Sequence, residues 1–256
     1  DEKTQRIIPA LFYHMLGDPA TNPMGLPVVP IERMVASVER KKPSRRPDSP
    51  FIYIDVASVN GQLGVITDVR EIMGADAPSR ARQIVRTNDV IVSTVRPYLR
   101  ATALVTAKHD NQICSTGFCV LRAKGGKGFG FLYALSRLQW FTDQLNALAR
   151  GASYPAVTDA DVFNLQVPHP IDQDLISGFD RQVLDFIMLQ DVRHSAAVRM
   201  ESQFEVLLHR AFTGELTAKW RETHKEELEI EMAAQAKALT NPVPHSSIRS
   251  RKRKAL

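Results

Sequence analysis

The segment from Gln173 to Phe212 constrains the fold more than any other part of this chain. Ile176, Phe179, Val183, Phe186, Gln190, Arg193, Ala197, Met200, Phe204, Leu207 and Ala211 follow a three-four alternation through five heptads. That spacing lines them up on one stripe of a helix, and a stripe sustained for so long is a coiled-coil seam. At 1.5 Å per residue the helix is about 60 Å long. Its length favours a helix in need of a partner helix over an ordinary core helix. The partner-facing seam is assigned to Ile176, Phe179, Val183, Phe186, Gln190, Arg193, Ala197, Met200, Phe204 and Leu207. Gln190 and Arg193 interrupt its apolar character, which costs stability but fixes register and partner.

The residues before this helix follow other rules. Residues 1–17 read as the end of a helix stopped by Gly17, Asp18 and Pro19. In the connector GDPATNPMGLPVVP, Pro19, Pro23, Pro27 and Pro30 exclude regular helix. The chain then becomes turn-rich and β-leaning. FIYIDVASV from Phe51 alternates like a strand, Asn60-Gly61 signals a tight turn, and Asn88-Asp89 a turn between two strands of QIVRTNDVIVSTVRPYL. STGFCVLRA reads as a further strand. After the flexible break GGKGFG, the spacing of Leu132, Leu135, Leu138, Phe141, Leu145 and Leu148 predicts one helix over about 131–148. RGASYPAVTDADVFNLQVPHP returns to turn and strand, closed by Pro168 and Pro170.

The expected fold class is therefore α+β: a globular, β-rich domain with a small helical part, followed by a long coiled-coil-forming helix. The expected boundaries are 18–171 for the domain, 172–218 for the helix and 219–256 for a charged, disordered tail. One internal echo stands out. ALFYHMLGDP from Ala10 resembles VLLHRAFTGE from Val206, as though the chain opens with the tail of one long helix and later supplies a whole second one.

The charge distribution says more than the formal net charge of +5. Residues 249–254 hold five basic side chains and no acid, so the remainder is formally neutral. Two local clusters are better evidence for an anionic partner. Arg80, Arg82, Arg86, Arg96 and Arg100 share their stretch with a single acid, Asp89, and Arg40, Lys41, Lys42, Arg45 and Arg46 are interleaved with prolines. Such clusters supply the phosphate-neutralising part of DNA binding, the alternative being a solvated charged surface. No apolar run approaches the roughly 18–20 residues needed to span a bilayer, and no charged-then-apolar leader opens the sequence. The expectation is a cytoplasmic protein without a membrane partner.

The sequence carries few marks of catalysis. There is no Gly-x4-Gly-Lys-Ser/Thr loop, no Gly-x-Ser-x-Gly elbow and no His-Glu-x-x-His string. Asp55, Asp68, Asp76, Asp89, Asp159 and Asp161 are not arranged like the carboxylates that hold a nuclease metal. His109, Cys114 and Cys119 form a His-x4-Cys-x4-Cys string without a fourth ligand, and strand alternation sends the two cysteines to opposite faces, so buried thiols are expected. A non-enzymatic protein is expected, with no cofactor and no metal.

The strings YIDVASVNG, APSRARQIVRTNDVIVSTVRPYLR, ICSTGFCVLR, GASYPAV, VPHP and LLHRAFTGEL, in that order, resemble the specificity subunit of type I restriction-modification systems. In detail they resemble one target recognition domain followed by one long conserved helix. FYHMLGDPATNPMGLPVVPI resembles the junction where such a subunit leaves one helix and enters the next recognition domain. The resemblance covers roughly residues 11–220. It implies a subunit of two such units in tandem, each domain reading one half of a bipartite, gapped sequence in double-stranded DNA. The long helices would pack antiparallel, set the half-site spacing and dock methyltransferase subunits, which restriction subunits join. This sequence carries one recognition domain, so it is either a halved subunit acting as a homodimer with a palindromic gapped target, or a fragment.

On that resemblance the DNA-contact candidates are Asn60, Ser79, Arg80, Arg82, Arg96, Tyr98, Arg100, Ser153 and Tyr154. Arginine's planar fork grips a phosphate or a guanine edge bidentately, and Pro97 reduces the freedom lost on binding. Strings that recur among proteins reading different sequences favour roles in backbone positioning over base readout. The alternative function is a non-catalytic coiled-coil adaptor that no longer reads DNA.

Overall fold

The computed structural model describes residues 2–240. Helix α1 (Glu2–Leu16) stops at Gly17, whose φ of +76° provides a left-handed cap while its N–H donates to the Tyr13 carbonyl at 3.0 Å. Eleven short strands follow: β1 (Val28–Pro30), β2 (Val35–Ala36), β3 (Pro50–Ile54), β4 (Val59–Asn60), β5 (Val65–Ile66), β6 (Arg70–Met73), β7 (Ala81–Ile84), β8 (Val90–Ser93), β9 (Thr102–Leu104), β10 (Ile113–Ser115) and β11 (Phe118–Ala123). Then come α2 (Phe129–Ser136), α3 (Gln139–Leu148), α4 (Asp159–Phe163), β12 (Gln166–Pro168) and the 40-residue α5 (Gln173–Phe212). Two more helices, α6 (Ala218–Thr223) and α7 (Lys225–Thr240), end the described chain. The class is α+β.

Two four-stranded sheets build the β-rich part, in the orders β6-β3-β10-β7 and β2-β11-β8-β9. The second is buried on both faces, which accounts for the nearly unbroken apolar runs VIV and FCVL. Val90, Val92, Leu104, Cys119 and Leu121 join the cluster that includes helix residues Phe12, Phe131, Leu135 and Phe179. Their alternating neighbours Ile91, Ala103, Phe118 and Val120 instead pack with Ile54 and Cys114 from the other sheet. The two cysteines thus lie in different apolar clusters, and burial pushes both thiols well above the usual range. β1 pairs antiparallel with β12, Val29 opposite Val167, so the chain enters and leaves this domain side by side.

The first half of α5 is anchored through its backbone as well as its side chains. Ile176, Phe179, Val183, Phe186 and Ile187 are buried, and the Phe179 ring meets Phe12 and Phe131 at 6.0 and 6.5 Å between centroids. Asp180 accepts the backbone N–H groups of Gly128 and Gly130, each at 2.7 Å, and so caps α2. Gly130 permits this approach: a Cβ there would lie 2.7 Å from the Asp180 Cα.

The described residues form two compact units divided between Leu189 and Gln190. The second contains the rest of α5, where Met200, Phe204 and Leu207 are each at least half exposed. α5 ends at Phe212, and Gly214, two residues on, has φ +73°, so a left-handed glycine follows α5 as Gly17 follows α1.

Several elements differ from the sequence expectation. The single helix over 131–148 is broken at Leu138, which turns extended at ψ 146° and is fully buried. FIYIDVASV stops being a strand at Ile54, because Asp55 and Ser58 exchange side-chain-to-backbone hydrogen bonds in a capping box. STGFCVLRA is split by Thr116 and Gly117 into strands of different sheets. A second capping box, Thr158 with Asp161, starts α4 inside the stretch read as turn and strand. Residues 219–240, charged and helix-compatible in sequence although placed within the bounds of the disordered tail, form the rest of α6 and α7, with Glu226 and Glu227 in the favourable first turn of α7. The remainder of that tail, 241–256, lies outside the described residues.

Candidate nucleic-acid interface

Three of the strings, APSRARQIVRTNDVIVSTVRPYLR, ICSTGFCVLR and GASYPAV, are joined by a relay of backbone hydrogen bonds. Thr116 N–H donates to the Arg80 carbonyl at 2.9 Å, Thr94 to Gly117 at 2.9 Å, Val157 to Thr94 at 2.9 Å and Arg96 to Pro155 at 2.8 Å. APSRAR, STVRPYLR and GASYPAV therefore lie at one edge of the domain. The last string turns back sharply: Arg150 and Ala156 exchange two 2.9 Å bonds. Gly151, at φ +101°, leaves no room for a Cβ, which would sit 2.9 Å from the Tyr154 carbonyl.

Pro97, Tyr98 and Leu99 form a 3-10 turn bounded by two left-handed arginines, Arg96 at φ +49° and Arg100 at φ +54°. Each such residue costs on the order of 1–2 kcal/mol, so the surrounding packing holds the turn in place. The Arg96 guanidinium lies 3.9 Å from the centroid of the Tyr154 ring. Its Nε is buried and has no hydrogen-bond partner among the described residues. Tyr98 and Tyr154 remain more than half exposed beside it, and Ser153 is exposed.

Arg100, only four residues on, is used differently. Its guanidinium donates to the Gln139 side chain at 3.2 Å and to the Arg137 carbonyl. Burial, and then the charge of Arg137, push its pKa below the ordinary arginine range. Arg137 itself forks onto the carbonyls of Gly61 and Gln62, both at 2.6 Å, and the Tyr133 hydroxyl donates to Gly64. A Cβ on Gly61 would meet the Leu99 carbonyl at 2.7 Å. Asn60 belongs to the same scaffold, its Oδ1 accepting from the N–H groups of Gln62 and Leu63 at 3.1 and 3.0 Å. The structure thus brings Arg96, Tyr98 and Tyr154 together at the surface and engages Arg100 and Asn60 within the fold. Sequence reasoning did not single out Arg137; its signal was a lone guanidinium inside the apolar run FLYALSRL.

The 40–46 segment joins the site through β7. Lys41 N–H donates to the Arg82 carbonyl at 2.8 Å, Ile84 N–H to Glu39 at 2.9 Å, and Arg40 bridges Gln83. Arg40, Lys41, Lys42, Arg45, Arg46 and Arg82 line a groove of about 630 Å³. Arg40 makes a long 3.8 Å ion pair with Asp159, whose carboxyl burial pushes up against the pull of Arg40. Ser79 and Arg80 are exposed nearby in sequence. Arg86 leaves the cluster to pair with Glu39 at 3.4 Å. Asp89, the acid in that stretch, is buried against Arg122 through bonds of 2.9 and 2.8 Å.

The seam residues separate into two sets. Ile176, Phe179, Val183 and Phe186 are buried in the chain's own core. Arg193, Ala197, Met200, Phe204 and Leu207 are exposed, with Gln190 half-buried where the two units divide. Among the described residues no helix is long and apolar enough to cross a membrane, and no three His, Cys, Asp or Glu side chains are grouped to hold a metal ion.

No protein-family model matches the chain. It is 24% identical over 164 residues to the Type I restriction enzyme EcoDI specificity subunit of Escherichia coli, covering 63% of this chain and 36% of that protein. The solved HsdS subunit from Thermoanaerobacter tengcongensis matches with a TM-score of 0.55 and 38% identity, over 73% of this chain and 47% of that one. A chain from a structure addressing complex assembly and conformational transition of the type I R-M system matches with a TM-score of 0.58 and 35% identity, over 88% and 52%. The chain spans about half the length of these solved relatives and about a third of the curated one. In sequence and in fold it is similar to part of a type I specificity subunit, as its motif order implies.

Proposed function

We propose that this relative of the type I specificity subunits is a non-catalytic DNA-recognition unit that reads one half of a bipartite, gapped target. The observation that carries the reading is the relay-bonded edge, where two separated strings bring Arg96, Tyr98 and Tyr154 together at the surface. A guanidinium stacked on Tyr154 suits an anionic or hydrogen-bond-accepting ligand, and exposed tyrosines offer stacking or sugar contacts. Arg80 and Ser79 extend the same edge. Arg100 and Asn60 act as scaffold. The exposed half of α5 docks a helical partner, either methyltransferase subunits, which restriction subunits join in the full complex, or a second copy of this chain.

Enrichment of random duplex DNA at physiological salt, with and without a partner methyltransferase, tests the reading. A gapped motif is the expected result, palindromic if two copies bind together. Arg96→Ala should weaken binding to all duplexes alike and make the salt slope shallower by about 1. No enrichment under either condition would favour a coiled-coil adaptor, which the exposed apolar side chains of α5 also fit.

A further inference from the structure

We infer that the groove formed by the 40–46 loop and Arg82 is a sequence-independent track for the phosphate backbone of duplex DNA, additional to the Arg96–Tyr154 edge. The inference rests on the DNA reading above. Six cations and no acid line this groove. Among the described residues the one ion pair made by these six is the 3.8 Å contact of Arg40 with Asp159, in which the arginine side chain is 67% exposed. An exposed pair of that length offsets little charge. The backbone that carries these cations is fixed, so they stay gathered around one groove.

Four constraints hold the loop in place. It is tied to β7 by the Lys41-to-Arg82 and Ile84-to-Glu39 bonds. Pro43 is buried. Gly74 sits so close beneath the loop that a Cβ there would fall 2.0 Å from the Arg46 carbonyl and 2.7 Å from that of Pro43. Gly74 and Ala75 also donate to the carbonyls of Ser49 and Pro47, each at 3.0 Å.

The chemistry of the donors narrows the ligand. Sites for small phosphates recruit convergent backbone N–H groups. Here the N–H groups of Lys41, Arg45 and Arg46 are already given to Arg82, Lys42 and Pro43. What remains is a cluster of side-chain cations from two paired segments, suited to an anion that offers several charges at once. Duplex DNA does so, with about one charge per 1.7 Å of axis. Two of the six are lysines, point charges without a planar fork, and the four arginines can fork onto phosphate oxygens, so the groove adds affinity to any duplex.

The test uses the full chain with Lys41, Lys42, Arg45 and Arg46 all changed to alanine, after thermal unfolding has confirmed that the fold is intact. Duplex affinity is titrated between 50 and 200 mM salt. With about 0.9 of slope per phosphate, the slope of log K against log salt should fall by up to about 3.6. Affinity should drop at least tenfold, equally for every duplex, and the preferred sequence should be unchanged. Restoring the charges with the exchanged set Lys41→Arg, Lys42→Arg, Arg45→Lys and Arg46→Lys should restore the slope. An unchanged slope, an altered sequence preference, or an equal loss in binding of single strands or heparin would overturn the groove assignment while leaving the DNA reading standing. A wild-type chain that binds no duplex at any salt would overturn both.

Discussion

The two halves of α5 carry the same heptad and meet opposite fates. In the first, Phe179 and Val183 are fully buried against the β-rich domain and α2. In the second, Met200 and Phe204 are 69% and 59% exposed. The repeat specifies a helix with an apolar stripe in both places, but it carries no information about what covers the stripe. The difference comes from features outside the repeat. Gly130 lets two backbones meet, Asp180 caps α2, and Phe12 and Phe131 close around Phe179. No such set of contacts surrounds the second half within the described chain.

The contrast is most sharply tested by matched truncations. Phe179→Ala should destabilise the first unit by about 3–5 kcal/mol in urea unfolding, whereas Phe204→Ala should change it by less than about 0.5 kcal/mol. A loss of several kcal/mol at Phe204 in dilute solution would break the contrast, because it would mean that the second half is covered after all. Gly130→Ala comes next, with about 1–3 kcal/mol expected from forcing α2 away from Asp180; a neutral result would mean that the two helices are not in backbone contact. Asp180→Ala should cost about 1–2 kcal/mol by uncapping α2, read from the same unfolding curves.

The smallest expected effect is a pH dependence confined to the first unit. His169 lies 5.4 Å from the Phe131 ring, and burial lowers its pKa. A base whose folded pKa is depressed favours the folded state when neutral. Its contribution is therefore complete above about pH 6.5 and is lost as pH falls through the lower folded value. His169→Gln should flatten that part of the stability profile, and an unchanged profile would remove His169 as its source.

The recognition edge gives a second contrast, between two arginines of one string. Arg96 and Arg100 have the same chemistry, the same left-handed backbone and only Pro97, Tyr98 and Leu99 between them. Nothing local separates them. Their neighbours do: Tyr154 lies under Arg96, while Gln139 and the Arg137 carbonyl take Arg100. The basic 40–46 loop was legible as a charged patch, yet its placement beside Arg82 depends on a pairing between segments some 40 residues apart. Capping boxes at Asp55 and Thr158 were written in the sequence and show that short-range signals can be outweighed in reading by stronger strand-like or turn-like neighbours.

The sequence by itself determined the long helix, the proline-rich connector, the glycine-terminated helix ends, the alternating strands and the order of the motifs. Each of these is encoded within a few residues, by side-chain period or by the restricted φ of glycine and proline. Only the tertiary structure decided which half of the seam is covered, which arginine is presented, and that two basic segments face one groove. Those outcomes depend on strand register and helix approach between distant parts of the chain, where a single glycine or a buried carboxylate sets the geometry and no local pattern records it.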